Sequence, residues 1–246
     1  MVIISGNFPI ALRFKKIYYV VSMTGINTIK VMIVEDHPLF SKGLASLIGN
    51  TDGYKVVGEA ANLSAAMKIA EKEKPHLAIV DIDLGEESGM NLIPQLKNMD
   101  AEIVILVLSM YDERYYSERV LRLGARGYIM KDEAANKVLD AINTVMSGKV
   151  YLSGTERERI FEAMTGESAR GVKDWAMSLR KLSDRELQVF SLIGKGLGTI
   201  EIASKFNLST KTIDTHKEHI KLKLHCNTSQ ELRQLAIEWA NHPDSL

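Results

Sequence analysis

Short apolar segments alternate with longer amphipathic segments between residues 29 and 147, and this alternation limits the possible folds. The clearest apolar segment, Ile103–Leu108, has six apolar residues in succession, as expected of a strand that is buried on both faces. Because helical segments separate the apolar ones, we predict an α/β fold with a five-stranded, doubly wound parallel sheet. The other four predicted strands are Ile29–Val34, Tyr54–Ala60, Leu77–Asp81 and Gly127–Ile129.

The amphipathic segments that separate and follow these strands predict five helices. Pro38 falls in the first turn of the first helix, where its missing N–H has little effect. Pro94 lies inside the third helix and is expected to bend or shorten it. The five predicted helices are Pro38–Ile48, Leu63–Lys72, Gly89–Lys97, Glu113–Leu123 and Glu133–Val145.

The rest of the chain is predicted to contain an extension, a linker and a second domain. We treat residues 1–28 as an extension of unknown role, because charges interrupt their apolar residues and Met23 is a possible start. Residues 29–147 form the first predicted domain, and residues 148–179 form a glycine-punctuated linker with a predicted solvated helix at Thr155–Met164. No apolar run approaches the roughly 20 residues needed to span a membrane, so we expect no membrane partner.

Residues 180–246 have an all-helical pattern of four helices. Ser183 and Glu186 have the spacing of a capping box, which opens a helix that ends near Ile193. The second helix covers Glu201–Phe206. Ser209 is predicted to cap a third that ends near Leu224, and Asn227 to cap a fourth that ends near Ala240. A turn of two residues between helices two and three predicts a helix-turn-helix.

Polar side chains follow four of the predicted strands at their carboxyl ends, where parallel sheets place their active crevice. Glu35 and Asp36 follow the first strand, Asp81 ends the third, Ser109 follows the fourth and Lys131 follows the fifth. Three converging carboxylates repel one another unless a cation compensates them. We therefore predict a Mg²⁺ site, because carboxylate and carbonyl oxygens are the ligands that Mg²⁺ prefers.

Within this site Asp81 is the predicted nucleophile for an acyl phosphate, chemistry in which aspartate takes part. Lys131 supplies a positive charge for phosphoryl oxygens, and Ser109 supplies a hydroxyl that can reorient towards them. The backbone carbonyl of Asp83 is a further predicted metal ligand. His37 directly follows Glu35 and Asp36, which we call the acidic pair. We expect His37 to cap the first helix, and a metal-ligand role is the alternative.

The stretch from Lys30 to Ser147 resembles the receiver domain of response regulators, which has a flavodoxin-like fold. The resemblance rests on Glu35-Asp36, on Ile79–Leu84 around Asp81, on Ser109 and on Gly127–Lys131. It implies that a histidine kinase phosphorylates Asp81, that Ser109 then moves to the phosphate and that Tyr128 rotates inward. Gly85 and Asp132 depart from the pattern, since many receivers have proline at both positions.

The stretch from Leu182 to Leu232 resembles the LuxR-type helix-turn-helix output domain of NarL-like response regulators. The resemblance rests on Leu182–Glu186, Glu201–Ala203, Ser209–His216 and Asn227. It implies a DNA-binding transcription regulator that forms a homodimer when phosphorylated. The predicted DNA-binding residues are Lys211, Thr212, Asp214, Thr215, His216, Lys217, Glu218, Lys221 and Lys223.

Apart from Thr212, which has no more specific role, these residues divide into two predicted roles. Lys211, Asp214, Thr215 and Glu218 are expected to face bases, because a recognition helix reads bases with its N-terminal half. The remaining lysines are expected to contact phosphates, which give affinity without sequence information. The resemblance implies that His216 also approaches the backbone. Asp214 and Glu218 stand where relatives often have basic residues, so a different operator preference is expected.

Charge and cysteine content agree with this reading. The segment 30–147 has 13 basic and 18 acidic residues, whereas the segment 180–246 has 10 basic and 8 acidic residues. An acidic first domain is typical of cation binding and a mildly basic second domain of an anionic partner. The single cysteine, Cys226, cannot form a disulfide within the chain, so a reducing cytoplasm is expected.

Three other functions stay open at this point. A constitutive DNA-binding regulator would use the receiver only for protein interaction and would ignore phosphodonors. A phosphatase of the haloacid-dehalogenase type would also use an aspartyl phosphate, after the pattern Asp81-x-Asp83, but would leave the C-terminal helices unexplained. A pure adaptor protein would show no salt-dependent DNA binding, and we do not expect the protein to be an enzyme.

Overall fold

A computed structural model describes residues 28–85, 87–165, 179 and 181–241. The predicted extension up to residue 27 and residues 166–178 of the predicted linker lie outside these residues. The chain divides after Ile160 into two compact units, which are described separately below. Among the described helices, none has the length and apolar character that a membrane crossing requires.

The first unit contains the predicted five-stranded parallel sheet, with strand order β2-β1-β3-β6-β7. All neighbouring strands pair in parallel, and the register places Val34 beside Val80, which follows the topology of a doubly wound sheet. The prediction of the fold is therefore confirmed. The five strands are β1 (Ile29–Val34), β2 (Tyr54–Ala60), β3 (Leu77–Val80), β6 (Val104–Ser109) and β7 (Gly127–Met130).

Helices cover both faces of this sheet. On one face, side chains of α1 and α5 pack on alternate strand residues such as Ile33 and Leu106. The intervening strand residues, such as Met32 and Ile105, are also buried, as expected when helices pack on both faces. The helices of this part are α1 (Pro38–Gly49), α2 (Leu63–Glu73), α3 (Leu92–Met99), α4 (Glu113–Leu123) and α5 (Ala134–Met146).

The predicted third helix begins later than expected. Residues Gly89–Asn91 form a 3₁₀ turn, and α3 begins only at Leu92. This start places Pro94 in the first turn of α3, where a residue without an N–H leaves no hydrogen bond unmade. The prediction that Pro94 shortens the helix is confirmed.

A small hairpin that the sequence analysis missed follows Asp81. Its strands are β4 (Asp83–Leu84) and β5 (Glu87–Ser88), which pair antiparallel. Gly85 in its turn has φ +67°, a value that glycine adopts without strain. Gly89 then passes so close to Asp81 that a Cβ on Gly89 would lie 1.8 Å from the Asp81 carbonyl oxygen. Only glycine therefore fits where the chain leaves the acidic site.

The segment after α5 packs on α4. Tyr151 forms a parallel bridge to Gly127, and helix α6 (Gly154–Thr165) follows. Glu156 in the first turn of α6 is 2% exposed and accepts a 2.5 Å hydrogen bond from the Ser117 hydroxyl of α4. The predicted helix is confirmed, but the expectation that it is solvated is wrong for this turn, because Glu156 has a buried partner.

The second unit has the four predicted helices. The capping box of Ser183 and Glu186 is confirmed, and Ser209 caps the third helix by accepting from the Thr212 N–H. The predicted cap at Asn227 is wrong: Thr228 accepts the Glu231 N–H, while the Asn227 N–H donates to the Glu231 side chain. The helices are α7 (Asp184–Gly194), α8 (Thr199–Lys205), α9 (Thr210–Leu224) and α10 (Ser229–Asn241).

Helices α8 and α9 form the helix-turn-helix. Asn207 in the turn has φ +55°, a conformation that asparagine tolerates better than most residues. Ile213, Ile220 and Leu224 of α9 are buried, as their shared face predicts. Lys211, Asp214, Thr215 and Glu218 on other faces of α9 are exposed.

Candidate functional site

The carboxyl ends of four parallel strands bring the predicted site together. Glu35 follows β1 and Asp81 follows β3, and these strands are neighbours in the sheet. Ser109 ends β6 and Lys131 follows β7, and the Lys131 N–H donates to the Ser109 carbonyl at 2.8 Å. Residues distant in sequence therefore meet at one edge of the sheet, as strand order predicts.

Asp81 lies at the centre of this edge and is 2% exposed. Its Oδ2 is 2.7 Å from Lys131 Nζ. Its Oδ1 is buried and has no hydrogen-bond partner among the described residues. Burial raises the pKa of Asp81 to about 7, and nearby Lys131 only partly opposes this rise. Burial of an ionised carboxylate without a partner costs free energy, and a cation or an incoming group that contacts Oδ1 would reduce this cost.

Lys131 bridges two carboxylates. Its Nζ lies 2.6 Å from Glu35 Oε2 as well as 2.7 Å from Asp81, and it also lies 4.8 Å from the centre of the Phe40 ring. Burial alone would lower the pKa of Lys131, but Asp81 and Glu35 outweigh burial and raise it. Lys131 is therefore cationic at neutral pH. One cation between two carboxylates leaves the site with excess negative charge once Asp81 ionises.

The His37 side chain contacts the carboxylates of Glu35 and Asp36 and does not cap α1. His37 occupies the N-cap position, but its side chain makes no capping hydrogen bond. Its Nδ1 lies 2.8 Å from Glu35 Oε1 and 2.8 Å from Asp36 Oδ1. The expectation that the His37 side chain caps the helix is wrong, because the two carboxylates attract the imidazole more strongly than the helix end does.

The donor set fits a divalent cation. One ligand atom from each of Glu35, Asp36, His37 and Asp81 lies within 4.8 Å of the others. Burial raises the pKa of Asp36, and the neighbouring Glu35 adds to the rise, whereas His37 lowers it. A divalent ion would remove this repulsion. Asp83 does not join the cluster through its side chain, whose Oδ2 accepts the Tyr111 hydroxyl at 3.1 Å.

Ser109 and Tyr128 are both completely buried behind Asp81. The Ser109 hydroxyl accepts the Tyr111 N–H at 3.2 Å, and the Tyr128 hydroxyl donates to the Tyr111 carbonyl at 2.7 Å. Tyr128 thus already lies inward in this structure. The sequence analysis missed Tyr111, which connects Ser109, Tyr128 and Asp83; its position two residues after a strand end was the available signal.

The second candidate surface is the outer face of α9. Lys211, Asp214, Thr215 and Glu218, the residues predicted to face bases, are exposed there. A concavity of about 280 Å³ lies beside the first turns of this helix. It is lined by Ser209, Lys211, Thr212, Thr215, His216 and His219. Burial lowers the pKa of His216, and Arg185 lowers it further, so this histidine is neutral at physiological pH.

All three lysines that were predicted to contact phosphates have partners within their own domain. Lys217 donates to the Thr199 hydroxyl, and Lys221 lies 2.9 Å from Glu218. Lys223 Nζ lies 2.6 Å from the buried carboxylate of Glu186. The hydrogen-bond partner of Lys217 is a neutral hydroxyl, whereas the charges of Lys221 and Lys223 are partly compensated by carboxylates. Their DNA contacts remain predictions.

Comparison with known proteins agrees with the division into two units. Residues 31–143 match the family described as response regulator receiver domain, and residues 180–236 match the bacterial regulatory proteins of the luxR family. The oxygen regulatory protein NreC of Staphylococcus carnosus is 33% identical over 213 residues, which are 85% of this chain and 97% of that protein.

Solved structures of RcsB are also similar. A Salmonella typhimurium RcsB response regulator is 25% identical with a TM-score of 0.58 and covers 87% of this chain and 98% of that one. A structure of two RcsB dimers bound to two parallel DNAs is 26% identical with a TM-score of 0.51, covering 89% of this chain and 100% of that one. Together with the acidic site and the helix-turn-helix, these similarities show that the chain belongs to the two-component response regulators of the LuxR family, with a receiver domain and a DNA-binding domain.

Proposed function

We propose that a histidine kinase phosphorylates Asp81 and that this phosphorylation controls DNA binding by α9 and hence transcription. One observation carries the proposal: Asp81 is buried, keeps one carboxylate oxygen without a hydrogen-bond partner among the described residues, and lies beside Lys131 and the acidic pair. A buried carboxylate with a raised pKa in such surroundings is typical of a functional site.

The proposed reaction is transfer of a phosphoryl group from a phosphohistidine. The Asp81 carboxylate attacks the phosphorus, the bond from phosphorus to the histidine nitrogen breaks, and an aspartyl phosphate forms. Lys131 then pairs with a phosphoryl oxygen as well as with Glu35. Glu35, Asp36 and Asp81, with the Asp83 carbonyl, would hold Mg²⁺. The ion would neutralise negative charge on the transferring group.

The switch proposed for this site acts through Ser109. Its hydroxyl now accepts the Tyr111 N–H, and it would turn towards the new phosphoryl oxygens. Helix α4 begins two residues after Tyr111, at Glu113. A change at Tyr111 would therefore reach the start of α4 directly, and Tyr128, which donates to the Tyr111 carbonyl, would adjust with it.

For DNA binding, we propose that the N-terminal half of α9 enters the major groove. We also propose that the receiver domain comprises residues 29–147, the linker residues 148–179 and the DNA-binding domain residues 180–246. The exposure of Lys211 and Thr215 beside the concavity supports this placement. The RcsB dimers on DNA support a homodimer as the bound form. A DNA partner and a reducing environment for Cys226 support action in the cytoplasm.

The test is phosphate uptake by the full chain. Wild type, Asp81→Asn and the exposed-site control Asp140→Asn are incubated with Mg²⁺ and phosphoramidate, and intact mass and sedimentation are measured. One phosphate on wild type and on the control, none on Asp81→Asn and a shift towards dimer are expected. Equal uptake by Asp81→Asn would refute the assignment of Asp81.

The alternative function is constitutive DNA binding with a receiver used only for protein interaction. It predicts no phosphate on wild type and the same salt-dependent DNA binding with and without the phosphodonor. A hydrolase would instead release inorganic phosphate from phosphomonoesters repeatedly. Operator binding measured by fluorescence anisotropy, with and without phosphoramidate, separates the regulated function from the constitutive one.

A further inference from the structure

His37 has a position that the proposed phosphorylation of Asp81 does not require. Its side chain is 63% exposed, yet its Nδ1 lies 2.8 Å from carboxylate oxygens of both Glu35 and Asp36. The His37 N–H also donates to Glu35 Oε1 at 3.0 Å, which fixes the backbone next to the acidic pair. Because the imidazole makes no capping bond, helix α1 does not depend on it. The ring thus sits where a cation would be attracted.

We propose that His37 is a nitrogen ligand that lets the acidic site bind a first-row transition cation, such as Co²⁺ or Zn²⁺, in competition with Mg²⁺. This inference rests on the proposed function only in using the same carboxylates. Mg²⁺ prefers oxygen ligands, whereas imidazole nitrogen suits Zn²⁺ and its neighbours in the first row. A mixed nitrogen and oxygen set therefore changes which cation the site favours.

The separations of the ligand atoms agree with one shared ion. Adjacent ligands about 2.1 Å from an octahedral ion lie about 3 Å from each other. His37 Nδ1 has this separation from one oxygen of Glu35 and one of Asp36, at 2.8 Å each. Ligand atoms of all four residues lie within 4.8 Å of one another, so small movements bring them to one centre.

A second, independent observation supports a cation at this cluster of Glu35, Asp36, His37 and Asp81. Asp81 is almost completely buried, and its Oδ1 has no hydrogen-bond partner within the part of the chain that the structure describes. A buried carboxylate oxygen in this state is costly unless a cation or a donor approaches it. The cluster is thus more than a group of surface acids, because its innermost member lacks the compensation that an ion would provide.

Proton movement on binding is simple at this position. The hydrogen between Nδ1 and the carboxylate oxygens belongs either to the ring or to a carboxyl group, since the roles of the ring nitrogens depend on the tautomer. Coordination uses the lone pair of Nδ1, so the neutral ring then carries its one hydrogen on Nε2, and a hydrogen displaced from Nδ1 is exchanged through water at the exposed ring. No oxidant or reductant takes part, since Zn²⁺ and Co²⁺ only exchange ligands here.

The experiment uses the full chain without phosphodonor and with Co²⁺ and Zn²⁺ as probes. Co²⁺ affinity is measured by calorimetry and visible absorption, and Zn²⁺ ligation by X-ray absorption, in which imidazole has a recognisable signature. The variants are His37→Gln and His219→Gln, because His216 and His219 lie one turn apart on α9 and form the alternative histidine site. Asp36→Asn tests the carboxylate contribution.

The expected result is an imidazole signature in wild type and in His219→Gln that is lost in His37→Gln. Changes in groups that only support metal ligands weaken affinity 10–100-fold, so loss of His37 itself should weaken Co²⁺ binding by at least about tenfold. Unchanged Co²⁺ affinity and ligation in His37→Gln overturns the inference. So does a Co²⁺ site that disappears in His219→Gln or that persists in Asp36→Asn.

Failure of this inference is distinguishable from failure of the proposed function. Mg²⁺-dependent phosphate uptake with Co²⁺ binding that does not involve His37 refutes only the nitrogen ligand. Co²⁺ bound through His37 with no phosphate on Asp81 leaves the metal site standing and refutes the proposed phosphorylation. Each arm has its own readout, since metal ligation is measured without phosphodonor.

Discussion

Replacement of Asp81 by asparagine is expected to stabilise the receiver when no divalent cation is present. Burial raises the pKa of Asp81 from 3.8 to about 7, and Glu35 adds repulsion, whereas Lys131 opposes the rise. The folded protein therefore holds a proton on Asp81 that the unfolded chain releases above pH 4. Asparagine keeps a side chain of the same shape and never carries the buried negative charge.

The size and the pH range of this effect follow from the two pKa values. A rise from 3.8 to about 7 corresponds to about 4 kcal/mol at most. Because the folded state binds the extra proton between these values, the contribution of Asp81 to the stability of the receiver falls as the pH increases from about 4 to about 7 and then stays constant. The stabilisation by Asp81→Asn should be near zero at pH 4, about half developed near pH 5.5 and complete at pH 8.

Calorimetry of the full chain in the presence of a chelator measures this effect on the receiver transition. Asp140→Asn, on the exposed face of α5, is the control and should change the melting temperature little at any pH. Addition of Mg²⁺ at pH 8 should stabilise wild type more than Asp81→Asn, because the ion compensates the carboxylate. The reasoning fails if Asp81→Asn is destabilising at pH 8, or if its effect is the same at pH 5 and pH 8.

Three further results are expected. Gly89→Ala should abolish phosphate uptake and destabilise the receiver by about 1–3 kcal/mol, since its Cβ would lie 1.8 Å from the Asp81 carbonyl oxygen; intact mass and urea unfolding test this. Burial alone would raise the pKa of Glu186, but Lys223 and Ser183 lower it, so its stabilising effect should be lost as pH falls through the folded pKa. Lys223→Met should therefore weaken the second domain by about 1–3 kcal/mol at pH 7 and flatten its acid dependence in urea unfolding. Glu156→Gln should increase amide hydrogen exchange in the first turn of α6 while leaving α5 protected, because it weakens the buried contact to α4; equal protection in both proteins would contradict the importance of that contact.

The sheet and most of its site were predictable from sequence because they follow from local patterns and one topological rule. Segments of three to seven residues, most of them apolar, predicted the strands, with ends that differ by at most one residue from those of the structure. The rule that parallel strands end at a common edge then brought Asp81 together with Glu35, Ser109 and Lys131. No knowledge of side-chain packing was needed for these four residues.

What the sequence did not reveal depends on contacts between distant residues. Ser117 and Glu156 are 39 positions apart, and Lys223 and Glu186 are 37 positions apart. A local pattern shows only that Glu156 and Lys223 lie on polar helix faces, so both were expected to be solvated or to meet DNA. The orientation of His37 is a local competition between helix end and carboxylates, which the residue types alone do not decide.

Ion pairs between lysines and glutamates of the second domain affect how much the proposed dimer would gain in DNA affinity over a single copy. Lys223 is held by Glu186 and Lys221 by Glu218, and the exposed Asp214 lies on the face that would approach DNA. Affinity from phosphate contacts grows with the number of cations that replace counterions, so pairing within the domain reduces what one copy contributes. Two copies on adjacent half-sites double that number and hence the exponent of the salt dependence. A phosphorylation that favours the proposed dimer would therefore change occupancy strongly without altering any contact of α9 itself.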